Sequence, residues 1–320
     1  VGHLIHVVHA LHLNSDPRSR VLLRLLLNLL LRADVACYRA QWAQQDNHDR
    51  PGAVNNLSPK SQRDLTSRAI TPSFDTCDFV PVPERGRRYQ RTRPVRLGDS
   101  SPGGRLRFDG LARYLQDVSN DDTRDAAFEN DMAWVVRRTT IEVQSGARFG
   151  EELTLTTFAS GAGRSWAERR VTVTGSHGAS IEAASLWVHL TEDGRPKSLP
   201  DEFFAIYGEA MGDRKVSARL THGEPRPEAK VHDWPLRFTD FDVLEHMNNA
   251  AYWSAVEEEL SRRRDLRPPM RAEVEFRVAI EPGASVRIHT CDAEDNCEIW
   301  MVVGSTVHAS ALVTRAQPTS

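Results

Sequence analysis

From about residue 79 onward, hydrophobic positions fall into two alternating rhythms. Phe108, Leu111, Ala112, Leu115 and Val118 recur at helical spacing, and Asn120–Asp122 are expected to close that helix. An arginine-rich first strand, Phe79 to Arg96, and a Gly98/Ser100–Gly104 loop precede it. Four period-two runs follow: Trp134–Val143, Glu151–Ser160, Trp166–Thr174 and Ile181–Leu190, separated by glycines. Pro200 to about Val231 reads as a connector with one short helix at its start. The plan then repeats. A strand is expected to run through Leu236 and Phe238 to Asp240. A helix from about Glu245 carries Tyr252, Val256 and Leu260 on one face. Strands close the chain at Glu273–Ile280, Ser285–Thr290, Glu298–Val303 and Ser305–Thr314.

Strand, helix, four strands thus occurs twice, the mark of an internal duplication. A lone amphipathic helix can bury its face in one curved antiparallel sheet. Ala250, Ala251, Ser254 and Ala255 are small enough to bring the second helix close to such a sheet, and Glu258–Arg262 and Glu259–Arg263 are spaced to pair along it. The expected fold is α+β, with 76–205 as the first unit, 206–230 as linker and 231–316 as the second unit.

Residues 1–75 follow neither rhythm. His3, His6, His9 and His12 drift around any helix and make no ligand cluster. Val21–Arg32 is Leu-rich, but too short and too interrupted to span a bilayer. A signal peptide and an interfacial helix are both compatible with it; the expectation is a poorly ordered extension, with Asp46–Ser73 lacking periodicity.

The chemistry concentrates at the second strand-to-helix junction, where Asp240, Asp242, Glu245, His246, Asn248 and Asn249 crowd together. A helix N-terminus offers free N–H groups and partial positive charge. These can hold an oxyanion. A His and an Asp in the same turn can hold and deprotonate water. Capping by Asp242, a surface His246 and an Asn-stabilised turn would explain the same residues without catalysis.

The stretch D-F-D-V-L-E-H-M-N-N-A-A-Y-W resembles the Asp-x-Asn-x-His-x-Asn-Asn-x-x-Tyr junction of acyl-acyl-carrier-protein thioesterases, tandem hotdog proteins of fatty acid synthesis. Asp242, His246 and Asn248–Asn249 fall on the family's Asp, His and Asn pair. Ala133–Arg138 resembles its Trp-Val-Val-x-Arg strand, Ser185–Val188 its Ser-x-Trp-Val strand, and Pro196–Pro200 its following turn. The match runs in order from Phe79 to Val313. Leu244 stands where the family has Asn. Glu281 is the carboxylate available after the helix, although its register differs from the family's, and a strand-end residue before Pro282–Gly283 is the competing account.

The resemblance implies a double hotdog whose second half hydrolyses fatty acyl thioesters of acyl carrier protein, with Asp242, His246, Asn248, Asn249 and Glu281 as catalytic candidates. Amides at Met247–Asn249 would receive the oxyanion, and the first half would shape the acyl tunnel. No metal or organic cofactor is implied. Alternatives are an acyl-coenzyme A thioesterase, a non-catalytic acyl-carrier-binding sensor, and a hydratase acting without thiol release.

A net charge of −3 argues against bulk attraction to nucleic acid. Two arginine clusters, Arg85–Arg96 and Arg262–Arg271, read either as solvated faces or as a docking patch for an acidic carrier. The four cysteines form no zinc or disulfide pattern. Cys291 and Cys297 are expected as free thiols across a hairpin, and His189 as a satisfied, partly buried histidine. The chain reads as a cytoplasmic monomer or homodimer without an integral membrane span.

Overall fold

The structure is a computed structural model that describes residues 79–128, 133–191 and 193–316. The expectations for residues 1–75 lie outside the described residues. Of the described residues, those up to His189 and from Lys197 onward form one compact unit; the other unit contributes only described residues between Leu190 and Pro196. That segment is a turn, in which the Thr191 N–H donates to the Arg195 carbonyl at 2.8 Å and the Thr191 hydroxyl to Asp193 at 2.5 Å.

The first half contains β1 (Tyr89–Pro94), helix α1 (Phe108–Asp125), and strands β2 (Ala133–Ser145), β3 (Glu152–Ala162), β4 (Trp166–Gly175) and β5 (Ser180–Leu190). Helix α2 (Asp201–Met211) follows. The second half contains β6 (Lys230–Trp234), helix α3 (Asn249–Arg262), β7 (Met270–Phe276), β8 (Val286–Asp292), β9 (Asn296–Val303) and β10 (Thr306–Arg315). The strands form one ten-stranded sheet in the order β1-β3-β4-β5-β2-β7-β10-β9-β8-β6. The halves meet where β2 pairs antiparallel with β7, from Arg138 opposite Glu275 to Val143 opposite Met270. This is the double hotdog arrangement, its two inner edges closed against each other so that neither is left unpaired.

Both long helices lie on one face of this sheet and share one core. Phe108, Leu111, Leu115 and Val118 of α1 are buried together with Tyr252, Trp253, Val256 and Leu260 of α3. The Phe108 and Trp253 rings stack with centroids 5.4 Å apart. A smaller cluster gathers Phe203, Tyr207 and Met211 of α2 with Phe128, Ala159, Ala162 and Ala167.

Helix α1 runs three residues past its expected end, to Asp125. Its polar C-terminal turns are held by arginines: Asp122 accepts from Arg87 at 2.7 Å and from Arg169 at 2.5 Å, Asp121 pairs with Arg91, and Asp117 with Arg93. The first arginine cluster thus ties β1 and its approach to α1. In the second cluster, Arg263 pairs with Asp265 and Asp292, and Arg267 donates to the carbonyls of Leu260 in the last turn of α3 and of Arg263 and Leu266 beyond it. Many arginines of the two clusters, read either as solvated faces or as a docking patch, are therefore paired within the chain. The pairs expected along α3 are replaced as well: Arg262 reaches Glu259 at 2.5 Å, one residue closer than expected, and Arg263 turns away to Asp265.

Cys291 and Cys297 are both free thiols, but register offsets them: Cys297 lies opposite Asp292, and Cys291 opposite Glu298. His189 is buried, with Nδ1 at 3.0 Å from the Lys197 carbonyl and Nε2 without a hydrogen bond. Among the described residues no helix is long and apolar enough to cross a membrane.

Candidate active site

Strand β6 stops at Trp234, short of the expected Asp240. Its partner β8 begins at Val286, opposite Trp234, and the next residue is Pro235, which has no N–H for a ladder. The chain instead makes a short 3-10 turn at Phe238–Asp240, with the Asp240 carboxylate accepting from the Arg237 N–H at 2.7 Å. Phe238, placed in a strand by its alternation, is 95% exposed.

Helix α3 starts at Asn249, four residues after the expected position. Glu245 adopts a left-handed backbone with φ of 59°, which no α-helix continues. Asn248 is extended and acts as N-cap, its Oδ1 accepting from the Ala250 N–H at 2.9 Å. The capping role considered for Asp242 thus belongs to Asn248.

The intervening loop is fixed at both ends. The Asp242 N–H donates to the His246 carbonyl at 3.1 Å and the Glu245 N–H to the Asp242 carbonyl at 3.0 Å. The Asn248 N–H donates to the Asp240 carbonyl and the Met247 N–H to the Ile280 carbonyl, each at 2.8 Å. Within this frame Asp242 Oδ1 accepts from the Leu244 N–H at 2.9 Å, and Oδ2 accepts from Asn248 Nδ2 at 3.0 Å. One asparagine therefore caps the helix with its oxygen and orients the aspartate with its nitrogen.

His246 sits in this loop, half-buried, and its imidazole makes no hydrogen bond to a described residue. Both ring nitrogens are left for water or substrate. Glu281 is exposed in the turn Glu281–Ala284. The Met247–Ile280 bond brings its backbone alongside the residue that follows His246. Leu244 projects outward at 67% exposure beside Val243 at 96%, so neither side chain enters the loop's hydrogen bonding.

The expected oxyanion amides are reduced to one. Met247 and Asn248 spend their N–H groups on Ile280 and Asp240. The Asn249 N–H, at the first position of α3, has no acceptor among the described residues. It is aligned with the positive end of the helix.

Tyr252, on the Tyr of the family's junction motif and on the helical face expected to be buried, is buried there, and sequence reasoning assigns it no role beyond packing. Its hydroxyl accepts from the Ile280 N–H at 3.2 Å. Burial pushes the phenol pKa well up, and the negative charge of Asp242 adds to the rise. The available signal was chemical: a buried tyrosine generally finds a partner for its hydroxyl.

A second polar cluster lies at the β2–β7 seam, where the linker carries His222 to Glu273 and Glu275. Ligand-capable atoms of these three residues lie within 4.8 Å of one another. The carboxylates are already committed. Glu275 accepts the Thr221 N–H at 2.5 Å and the His222 N–H at 3.2 Å, and Glu273 accepts the Thr140 hydroxyl at 2.6 Å. With Arg138 and Arg277 beside them, the cluster is a clasp fastening the linker to the sheet.

The chain matches the acyl-ACP thioesterase N-terminal domain over residues 86–207 and the acyl-ACP thioesterase C-terminal domain over residues 223–311. An uncharacterised protein of Mycobacterium tuberculosis is 31% identical over 239 residues, which cover 74% of this chain and 96% of that protein. The fold is similar to a 12:0-ACP thioesterase from Umbellularia californica, with TM-score 0.62, 19% identity, and coverage of 72% of this chain and 97% of that one. It is also similar to an acyl-ACP thioesterase from Bacteroides thetaiotaomicron, with TM-score 0.60, 17% identity, and coverage of 71% of this chain and 97% of that one. Those two structures bear on the fold, and the two domain matches on the family. With both halves matched in order and the Asp242–Asn248 loop standing at the start of α3, the chain belongs to the acyl-ACP thioesterase family of thioester hydrolases.

Proposed function

We propose that the protein hydrolyses fatty acyl thioesters of acyl carrier protein, releasing free fatty acid and the carrier's thiol and so ending acyl-chain synthesis in the cytoplasm. The observation that carries this reading is the hydrogen-bonded pair Asp242–Asn248 with His246 between them in sequence and without a hydrogen bond to any described residue. Asp242 orients an incoming water, and His246 removes its proton as the oxygen attacks the thioester carbonyl. The oxyanion develops toward the Asn249 N–H. When it collapses, the C–S bond breaks, and the proton held by His246 passes to the departing thiolate. Asn249 and Glu281 border the same loop, Glu281 as a second carboxylate for the water. The first half lines the space for the acyl chain.

Leu244 favours one competing reading. Without the family's Asn at this position, the loop would bind an acyl carrier without hydrolysing its cargo. One assay separates the readings: the full chain is incubated with acyl-carrier-protein and coenzyme A thioesters of graded length, and free thiol is scored. The expected result is release from the carrier substrates, abolished by His246→Ala and by Asp242→Asn. Faster release from coenzyme A overturns the carrier assignment, and binding without release establishes the sensor.

A further inference from the structure

The segment leading to Glu281 is secured by an unusual set of partners. Strand β7 ends at Phe276, and residues 277–280 no longer follow the ladder. The Arg277 and Val278 N–H groups both donate to the single carbonyl of His308, at 2.9 and 3.1 Å. The His308 ring turns back, with Nδ1 3.0 Å from the Ala279 carbonyl. Ile280 comes next, fully buried, with both of its backbone groups taken by the candidate active-site elements. Its carbonyl accepts from the Met247 N–H at 2.8 Å, and its N–H donates to the Tyr252 hydroxyl at 3.2 Å. After Ile280 the chain enters the exposed turn that begins with Glu281.

We propose that Tyr252 is a positioning residue for Glu281: its hydroxyl, with the Met247 N–H, clamps the Ile280 peptide and so holds the Glu281 carboxylate beside the Asp242–His246 loop. The inference rests on the proposed hydrolytic function and assigns Tyr252 a task within it. The clamp is the last hydrogen-bonded tie before Glu281, beside the anchor that the buried Ile280 side chain supplies. The phenol ring is independently anchored, lying edge-on to Phe276 with centroids 5.2 Å apart. A phenylalanine would therefore keep the packing and lose only the hydrogen bond. The position also accounts for a long, polar-tipped side chain on the buried face of α3, where leucine would satisfy packing alone.

The test is a double-mutant cycle on the full chain, read as thiol release from an acyl-carrier-protein thioester. Tyr252→Phe is expected to lower kcat about tenfold with KM unchanged, the scale of one buried hydrogen bond lost. Glu281→Gln is expected to lower it further. The combined variant is expected to match Glu281→Gln to within about twofold, because Tyr252 acts through Glu281. Multiplicative losses, an unchanged kcat in Tyr252→Phe, or an inert Glu281→Gln each overturn the proposal. Amide exchange at Ile280 in the unaltered protein supplies a readout that needs no variant to fold: strong protection is expected, and rapid exchange overturns the clamp. A wild-type chain that releases no thiol removes the proposed function itself, and this inference with it.

Discussion

Glu257 of α3 caps α1. Its Oε1 accepts from the Phe108 N–H at 2.6 Å, and its two oxygens also take the Arg105 guanidinium at 2.9 and 2.6 Å. The N-cap position of α1 is occupied by Arg107, whose side chain makes no capping bond, so the carboxylate that helix needs comes from the other half of the chain. The tie spans 149 residues of sequence. It fixes the two helices against each other where Phe108 stacks on Trp253.

Removing that carboxylate leaves a helix N–H and a half-buried guanidinium without their partner. Glu257→Ala is expected to destabilise the fold by about 2–4 kcal/mol, between the loss of a cap and the breaking of a buried ion pair. Glu257→Gln keeps an oxygen for Phe108 and should recover part of the loss. Chemical denaturation of the three proteins checks the order; equal stability of wild type and Glu257→Ala contradicts the capping role.

Asn248 combines a structural and a chemical task that substitutions can separate. Asn248→Ala removes the cap and is expected to cost about 1 kcal/mol of stability. It also frees Asp242 Oδ2, so thiol release should collapse. Asn248→Asp retains an oxygen for the Ala250 N–H but turns an oxygen toward Asp242 in place of the amide nitrogen now 3.0 Å away. Activity should collapse there too, while the cap survives. Thermal melts paired with thiol-release assays distinguish the two variants. Full activity in Asn248→Asp argues against orientation of Asp242 by the amide.

The linker clasp makes stability sensitive to acid. Burial alone would raise the Glu273 pKa. The His222 ring, the charge of Arg138 and the Thr140 hydroxyl overcome it and hold the carboxyl below its ordinary 4.5. A lowered folded-state pKa means that the contribution is complete above about 4.5 and is lost as pH falls through the folded value. The melting temperature should therefore fall as pH drops below that point. Glu273→Gln should be less stable near neutrality, by about 3 kcal/mol for a broken buried pair, and should show a shallower acid decline. An identical acid profile in the variant rules out Glu273 as the titrating group.

Much of this architecture is legible in the sequence because it is periodic. The apolar spacing of Phe108, Leu111, Leu115 and Val118, and the alternations ending at Leu190 and Thr314, locate helix and strands to within a few residues, since each pattern reports one buried face. The candidate loop is legible by type: Asp242, His246 and Asn248 do gather at the start of α3. What the pattern cannot carry is non-local. Glu257 reads as one of three consecutive glutamates until Phe108 is placed beside it. The arginines of β1 read as free charge until the acids of α1 lie opposite. The end of β6 depends on where β8 starts, and the late start of α3 on the backbone angle of Glu245.

Leu244 is the departure from the family pattern that the fold makes cheap to reverse. Its backbone N–H already holds Asp242 Oδ1, and that bond survives any side chain. The leucine itself is mostly in solvent, so Leu244→Asn gives up little burial, and stability should stay within about 0.5 kcal/mol of wild type. The new amide would sit two residues from both Asp242 and His246, on the solvent side of the loop, where it can hydrogen-bond water or a substrate carbonyl entering from that side. Thiol release from an acyl-carrier-protein thioester is therefore expected to rise, through kcat, with the melting temperature unchanged. A lower kcat in a variant that melts normally would mean that the exposed leucine contacts substrate or carrier, and that this loop has exchanged a polar water-holder for an apolar rim.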